Sequence, residues 1–310
     1  MTHPTVIITG PTATGKTDLS LSLARSFNVP VISADARQCY RYLDIGTGKV
    51  SDSILAEIPH YHISTLNPDE SFSAADFSVK VRRWSEEIAQ KGKFVLVAGG
   101  STLYLESLIR PFDPLPPQNP SNIRELETIA ERSGLDEIYK KLVEADPDYA
   151  CKMHGLNTHR MFRALDVWMQ TGRPFSSFHK NQPLTLPDNV LVICLYRERP
   201  ELHDRINRRV DHMLENGLLQ EVRDILNMSY SPDLQSLQTV GYREPIAYFD
   251  GQLTYEQMHE KIKRNSRQYA RRQLTWFRRW KGVYWLNQSG VSEALIINKV
   301  RQLTEYLAAK

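Results

Sequence analysis

Cysteine is scarce in this 310-residue chain: Cys39, Cys151 and Cys194 are an odd set with no paired spacing. That excludes a disulfide framework and a cysteine-held metal knuckle, and three reduced, singly buried thiols are expected. Long hydrophobic runs are missing as well. No stretch approaches the roughly 18 consecutive apolar residues of a membrane helix, and the opening MTHPTVIITG has no basic segment leading into an apolar one. A cytoplasmic protein that engages no membrane is expected. Internal repeats and low-complexity tracts are also absent, so one or two ordinary globular domains remain. Net charge is small, +3, but unevenly spread. KIKRNSRQYARRQLTWFRRWK, residues 261–281, carries nine Lys or Arg and no acid, which leaves 30 basic against 36 acidic residues, or −6, elsewhere. Such a segment suits an anionic partner such as nucleic acid. It suits a plain solvated helix face equally well.

What is present begins at VIITGPTATGKTDLS. Residues Gly10, Pro11, Thr12, Ala13, Thr14, Gly15, Lys16 and Thr17 fit G-x-x-x-x-G-K-[ST], with a strand pattern before and a helical one after. Backbone N–H groups of such a loop converge on phosphate oxyanions at a helix N-terminus. Lys16 adds a point charge, and the Thr17 hydroxyl can ligate Mg2+. Further strand-like runs stand at 29–33, 94–98 and 190–196. Short apolar strands alternating with helices predict an α/β fold, a parallel sheet covered by helices. Between the third and fourth runs, PFDPLPPQNPSN and HKNQPLTLPDN bracket a strand-free segment of helical spacing. The expected organisation is therefore a phosphate-loop core over 1–112, an α-helical insertion domain over 113–187, and a second part of the core over 188–310 ending in the basic helix. Within that last part, 201–226 reads as helical with an interruption at Gly217.

One more absence narrows the chemistry. Motor-type ATPases carry an apolar strand ending in Asp to hold the metal's water shell, whereas KFVLVAGGS ends in Gly99-Gly100-Ser101. The carboxylate stands instead after the second strand, as Asp35, where parallel-sheet geometry brings it to the same C-terminal edge as the phosphate loop. There it could take a proton from a nucleophile, or simply cap a turn. Arg205, Arg208 and Arg209 share one helix face by spacing. His60 and His62 read as structural strand residues rather than metal ligands.

The strings GPTATGKT, SADARQCYRYLDIGTGK, SFSAADF, AGGSTLYLESL, HRMFRALDVWMQTGRP, LHDRINRRVDHML, QTVGYRE and SRQYARRQLTWFRR, over residues 6–280, resemble in sequence and order those of the tRNA dimethylallyltransferases. The resemblance implies transfer of a dimethylallyl group from dimethylallyl diphosphate to N6 of the adenosine 3′ of the anticodon. It also implies Mg2+ as cofactor and the tRNA anticodon stem-loop as partner, with the chain acting as a monomer. By resemblance, Asp35 is the base, Ser101 positions the reacting groups, and Lys16 and Arg209 stabilise the leaving diphosphate. Residues carried over for tRNA contact are Asp35, Ala36, Arg37, Gln38, Ser101, Arg124, His159, Arg160, Arg163, Gln238, Gly241, Tyr242 and Arg243. The target base must leave its stack to react. Most of Tyr269, Trp276, Phe277 and Trp280 are expected to fill core. Ser101 stands where threonine is common, Ala36 replaces a frequent serine, Gly48-Lys49-Val50 stands for Ala-Lys-Pro, and Asn265-Ser266 replaces a threonine; these touch positioning rather than charge. An ATP-dependent kinase of nucleosides or small molecules, or a noncatalytic RNA-binding protein, are the rival readings.

Overall fold

The computed structural model describes residues 2–110, 115–153, 155–178, 184–289 and 293–308. The chain divides into two compact units, Met1–Pro111 with Pro183–Lys310, and Phe112–Gln182.

In the first unit the chain runs β1 (Thr5–Thr9), α1 (Lys16–Phe27), β2 (Val31–Ser33), α2 (Asp52–Glu57), β3 (His60–Tyr61), α3 (Ala74–Ala89), β4 (Val95–Ala98) and α4 (Thr102–Ile109). The second unit contains α5 (Pro120–Ser133), α6 (Leu135–Ala145), α7 (Pro147–Ala150) and α8 (Thr158–Thr171). The chain then re-enters the first unit through β5 (Leu184–Thr185), β6 (Val190–Tyr196), α9 (Arg199–Glu215), α10 (Leu218–Asn227), α11 (Arg243–Phe249), α12 (Tyr255–Phe277), β7 (Trp280–Lys281), β8 (Tyr284–Asn287) and α13 (Glu293–Ala308).

Six strands form a parallel α/β sheet in the order β3-β2-β4-β1-β6-β8. β1 is central, with Ile7 opposite Val97 on one side and Val192 on the other. Period two then does the sorting. Ile7, Val97 and Val192 turn to a face covered by Phe77 and Val81 of α3 and Leu105 of α4. Val6, Ile8, Leu96 and Ile193 turn to the other, against Leu19 and Leu23 of α1 and Ile296 and Val300 of α13. A sheet buried on both faces needs near-continuous apolar strands, as VIIT, FVLVA and VLVICLY are. β5 pairs separately with β7, so residues 184–185 belong to the sheet-bearing unit and the insertion ends before the expected 187.

Gly217 interrupts the 201–226 helix as the spacing predicts. It takes φ 97°, ψ 25°, a left-handed conformation that ends the α9 segment and opens α10. In the insertion unit, Leu126, Ile138, Leu142, Met161 and Leu165 make a core of their own. Its polar centre is Asp166, fully buried, which accepts from Asn122 Nδ2 at 3.0 Å, Gln170 Nε2 at 2.8 Å and Arg163 at 2.9 Å. Cys39 and Cys194 are buried, but Cys151 is exposed. It follows the four-residue α7 on the solvent side, where its thiol meets the Asp148 carbonyl. No helix among the described residues is long and apolar enough to cross a membrane.

Candidate active site

The C-terminal ends of β1, β2 and β4 deliver three loops to one edge of the sheet, the place where open parallel sheets bind ligands. After β1, residues 10–17 turn into α1. Gly15 opens that helix at φ 96°, ψ 22° with no side-chain cap, so its first-turn N–H groups are left for an anion. The loop is braced from within by Thr14 Oγ1 and Lys16 Nζ, which donate to the Pro11 carbonyl at 2.9 and 2.7 Å. From α9, Arg205 Nε donates to the Ala13 carbonyl at 2.9 Å. Gln273 of α12 accepts from the Thr12 N–H at 3.1 Å and donates to the Gly100 carbonyl at 2.8 Å.

After β2, the Asp35 carboxylate accepts through Oδ1 from the N–H groups of Arg37 at 2.9 Å and Gln38 at 3.3 Å. The turn-capping role is therefore present, carried by one oxygen, and the residue also lines the cavity. Ser101, after β4, begins α4 without capping it; its hydroxyl oxygen accepts instead from the Ala36 N–H at 2.8 Å. The hydroxyl hydrogen thus stays available to a ligand.

These loops, α9, residues 239–242 and α12 enclose a cavity of about 290 Å³, lined among others by Lys16, Thr17, Asp35, Ser101, Arg209 and Tyr269. Its electrostatics call for an anion. Burial of the ammonium, and then the neighbouring Arg209 guanidinium, push Lys16 down to about 8, against the opposing pull of Asp35. Arg209 is likewise lowered by burial, with Asp35 again opposing. Asp35 offsets only part of the cost of desolvating two cations together, and a diphosphate would supply further counter-charge. Arg209 is aimed by the 44–48 turn, donating to the Thr47 carbonyl at 3.1 Å. Of its neighbours in sequence, Arg208 pairs outside with Asp204. Thr17 stands at the cavity with its hydroxyl making no hydrogen bond to protein, and no cluster of three His, Cys, Asp or Glu occurs among the described residues. This donor set fits Mg2+, which binds through few protein oxygens and completes its shell with phosphate and water.

The residues expected to touch RNA divide. Asp35, Ala36, Arg37, Gln38, Ser101, Gly241 and Tyr242 line the cavity. Gln38 is held at both ends, accepting from Ser33 Oγ at 3.1 Å and donating to the Thr47 and Gly48 carbonyls at 3.3 Å. Tyr242 lines the cavity with its ring fully buried, and its hydroxyl donates to Glu221 at 2.7 Å. Gly241 gives its N–H to Glu244, which also takes Arg243 Nε. Gln238 is exposed, its amide donating to the Pro232 carbonyl. In the insertion unit Arg124, His159 and Arg160 are exposed. Arg163 departs from them, because its guanidinium is spent on Asp166 and the Pro116 carbonyl.

The basic helix divides too. Lys263 pairs with Asp211 at 2.7 Å and Arg267 donates to Asn207, whereas Arg264, Arg271, Arg272 and Arg278 are exposed. Phe277 and Trp280 are core, Trp276 donates to the buried Glu106, and Tyr269 faces the cavity. His62 is buried among Phe72, Phe77, Trp84 and Tyr104, and burial lowers it to about 4. Three residues escaped the sequence reading. Glu221 accepts from the N–H groups of Asp44, Ile45 and Gly46 as well as from Tyr242. It looks in sequence like any acid on an amphipathic helix. Gln273 was visible only as an uncharged residue inside a basic run, and Tyr269 as one aromatic among four.

Fold and site together define a parallel α/β protein that sets an uncapped helix N-terminus and two half-buried cations against a carboxylate and a hydroxyl on neighbouring loops. The family model described as IPP transferase matches residues 38–280. The chain is 42% identical over 285 residues to the tRNA dimethylallyltransferase of Clostridioides difficile, covering 92% of this chain and 91% of that one. It is 42% identical over 288 residues to that of Bacillus subtilis, covering 93% and 91%. Among solved structures, the full-length tRNA isopentenylpyrophosphate transferase of Bacillus halodurans superposes with TM-score 0.72 at 36% identity, covering 99% of this chain and 98% of the other. A eukaryotic dimethylallyltransferase, caught in crystallographic snapshots acting on tRNA, gives TM-score 0.75 at 29% identity, covering 93% and 74%. The chain belongs to the IPP transferase family, the family of the tRNA dimethylallyltransferases, and is a prenyltransferase.

Proposed function

We propose that this chain transfers a dimethylallyl group from dimethylallyl diphosphate to N6 of the adenosine 3′ of the anticodon in tRNA, releasing diphosphate. The observation that carries this reading is one cavity in which the anion-seeking pair Lys16 and Arg209 faces Asp35 and Ser101. The adenine nitrogen attacks the allylic carbon as the carbon–oxygen bond breaks, and that bond's electron pair leaves with the diphosphate. Negative charge grows on the leaving oxygens, where the 10–17 N–H groups, Lys16 and Arg209 are already oriented and need no reorganisation. N6 must shed a proton as it bonds to carbon, and Asp35 Oδ2, unused by the turn, is the acceptor. Ser101, locked to Ala36, donates its hydroxyl hydrogen toward the reacting groups. Thr17 would hold Mg2+ together with the diphosphate, and the ion supplies further charge neutralisation.

The tRNA would contact the exposed arginines of α12 in the sheet-bearing unit and, in the insertion unit, Arg124, His159 and Arg160. The same reading makes the enzyme a cytoplasmic monomer. The test is transfer of labelled dimethylallyl from its diphosphate to tRNA, run beside γ-labelled ATP with tRNA and nucleosides as acceptors. Prenyl label entering tRNA, and no phosphoryl label entering any acceptor, is the expected result; the converse would make the chain a kinase. Asp35→Asn keeps the turn acceptor and should lower kcat by about 10²- to 10⁴-fold with tRNA binding retained. An unchanged rate removes Asp35 as the base.

A further inference from the structure

Gln273 is 3% exposed, and it is an amide near the C-terminal end of a helix rich in charge. Burying an amide costs free energy unless both its ends are matched. Here both are. Oε1 takes the Thr12 N–H of the 10–17 loop, and Nε2 donates to the Gly100 carbonyl of the loop after β4. The partners lie 261 and 173 positions away in sequence, so the amide joins three segments that share no local structure.

The bridge continues in both directions. Gly100 precedes Ser101, whose hydroxyl oxygen holds the Ala36 N–H beside Asp35. Thr12 precedes Ala13, whose carbonyl is held by Arg205. A continuous path of hydrogen bonds and chain therefore runs from the anion-seeking loop through Gln273 to the turn that bears the carboxylate. A Cβ at Gly100 would overlap the Gln273 amide nitrogen. The absence of a side chain at 100 is thus part of the same joint. Gln273 is flanked by the exposed Arg272 and follows Tyr269 of the cavity wall by one helical turn.

We propose that Gln273 is a positioning residue that sets the diphosphate-holding loop in register with the Asp35 turn, through its paired hydrogen bonds to Thr12 and Gly100. The inference rests on the donor-site reading of residues 10–17 given above. A glutamine suits the task because it alone offers an acceptor and a donor on one rigid plane at this length. Glutamate would keep the Thr12 bond but set a negative charge against the Gly100 carbonyl and near an incoming diphosphate. Methionine fills the space and makes neither bond.

The experiment measures binding of inorganic pyrophosphate with Mg2+ by calorimetry, prenyl transfer kinetics, and tRNA affinity for the wild type, Gln273→Met, Gln273→Glu, Gly100→Ala and the Gln273→Met/Gly100→Ala pair. Losing two buried hydrogen bonds should weaken pyrophosphate binding by about 10-fold in Gln273→Met and lower kcat by a similar factor. Tight tRNA binding should remain within about 2-fold, a split that general loosening of the fold would not produce. Gly100→Ala, which dislodges the amide from the other side, should give the same defect. The double variant should then be no worse than either single one, since both break one joint. Wild-type pyrophosphate affinity in Gln273→Met, or in Gly100→Ala should the methionine variant fail to fold, overturns the proposal, as does full additivity in the pair. A wild-type enzyme that binds no pyrophosphate, with Lys16→Ala indistinguishable from it, would instead remove the donor-site reading itself.

Discussion

Glu221 offers a sharp test of how the site is held open. Its carboxylate accepts from the N–H groups of Asp44 at 3.0 Å, Ile45 at 2.6 Å and Gly46 at 3.1 Å, and from the Tyr242 hydroxyl at 2.7 Å. Among the described residues no other side chain accepts from those three N–H groups. The turn they belong to ends in the Thr47 carbonyl, which receives both Arg209 and Gln38. Glu221→Ala strands the buried Tyr242 hydroxyl and releases three N–H groups, two of them half-buried and that of Asp44 exposed. Hydrogen bonds to a charged acceptor are each worth about 1.5–3 kcal/mol when buried and less at a half-buried carboxylate, so we expect a loss of about 4 kcal/mol in urea unfolding. Glu221→Gln keeps one acceptor oxygen and should lose about half of that. Tyr242→Phe removes one bond and leaves the turn anchored, for a loss of about 1 kcal/mol. Released from the turn, Arg209 should also lose its aim, so kcat in the folded Gln variant should fall about 10-fold at saturating substrates. An unfolding free energy for Glu221→Ala within 1 kcal/mol of wild type, or no lower than that of Tyr242→Phe, would refute the clamp.

Three further expectations follow from single observations. Arg209→Ala should lower kcat by about 10²-fold or more, as loss of one preoriented donor to a developing oxyanion does; steady-state transfer rates check it, and an unchanged kcat with raised donor KM would make Arg209 a binding residue only. Removing the exposed Arg271 and Arg272 together should weaken tRNA binding and reduce its dependence on log salt by about 2, whereas an unaltered slope returns α12 to a solvated face. His62 is held neutral by burial, at about 4 against 6.5 when unfolded. Protons therefore favour the unfolded chain below pH 6.5, and stability should fall by up to about 3 kcal/mol as pH drops from 6.5 to 4. In His62→Asn, whose side chain tolerates the left-handed backbone at this position, that component should vanish from urea titrations, and equal pH profiles would refute the assignment.

Much of this architecture could be read in the residues because its signals are local. VIIT, FVLVA and VLVICLY are apolar on both faces, and a sheet with helices on each side leaves no alternative. β3, β5 and β7 have two residues each, too few to carry a period, and only the register of their partners defines them. The 10–17 loop and Asp35 were legible for the same reason, since loop chemistry and strand polarity place them without knowledge of the rest. Glu221, Gln273 and the internal use of Arg163 were not, because each depends on a partner far away in the chain.

The missing acid after β4 and the acid present after β2 are one structural fact. A Cβ at Gly99 would overlap the Ala34 carbonyl, so the end of β4 packs backbone against backbone on the turn that follows β2. A carboxylate there would have to occupy the space that the 34–38 turn fills. Ser101 instead reaches across with a hydroxyl to hold Ala36, and the acid moves one strand over, onto the turn itself. An aspartate ending β4 would sit beside the metal and phosphate, where phosphoryl transfer needs it. At Asp35 it lines the same cavity as Lys16 and Arg209, and under the function proposed above it would serve whatever attacks the donor rather than the phosphorus. Under the proposed function, that displacement would separate a loop that activates a phosphate from one that receives a diphosphate as it leaves.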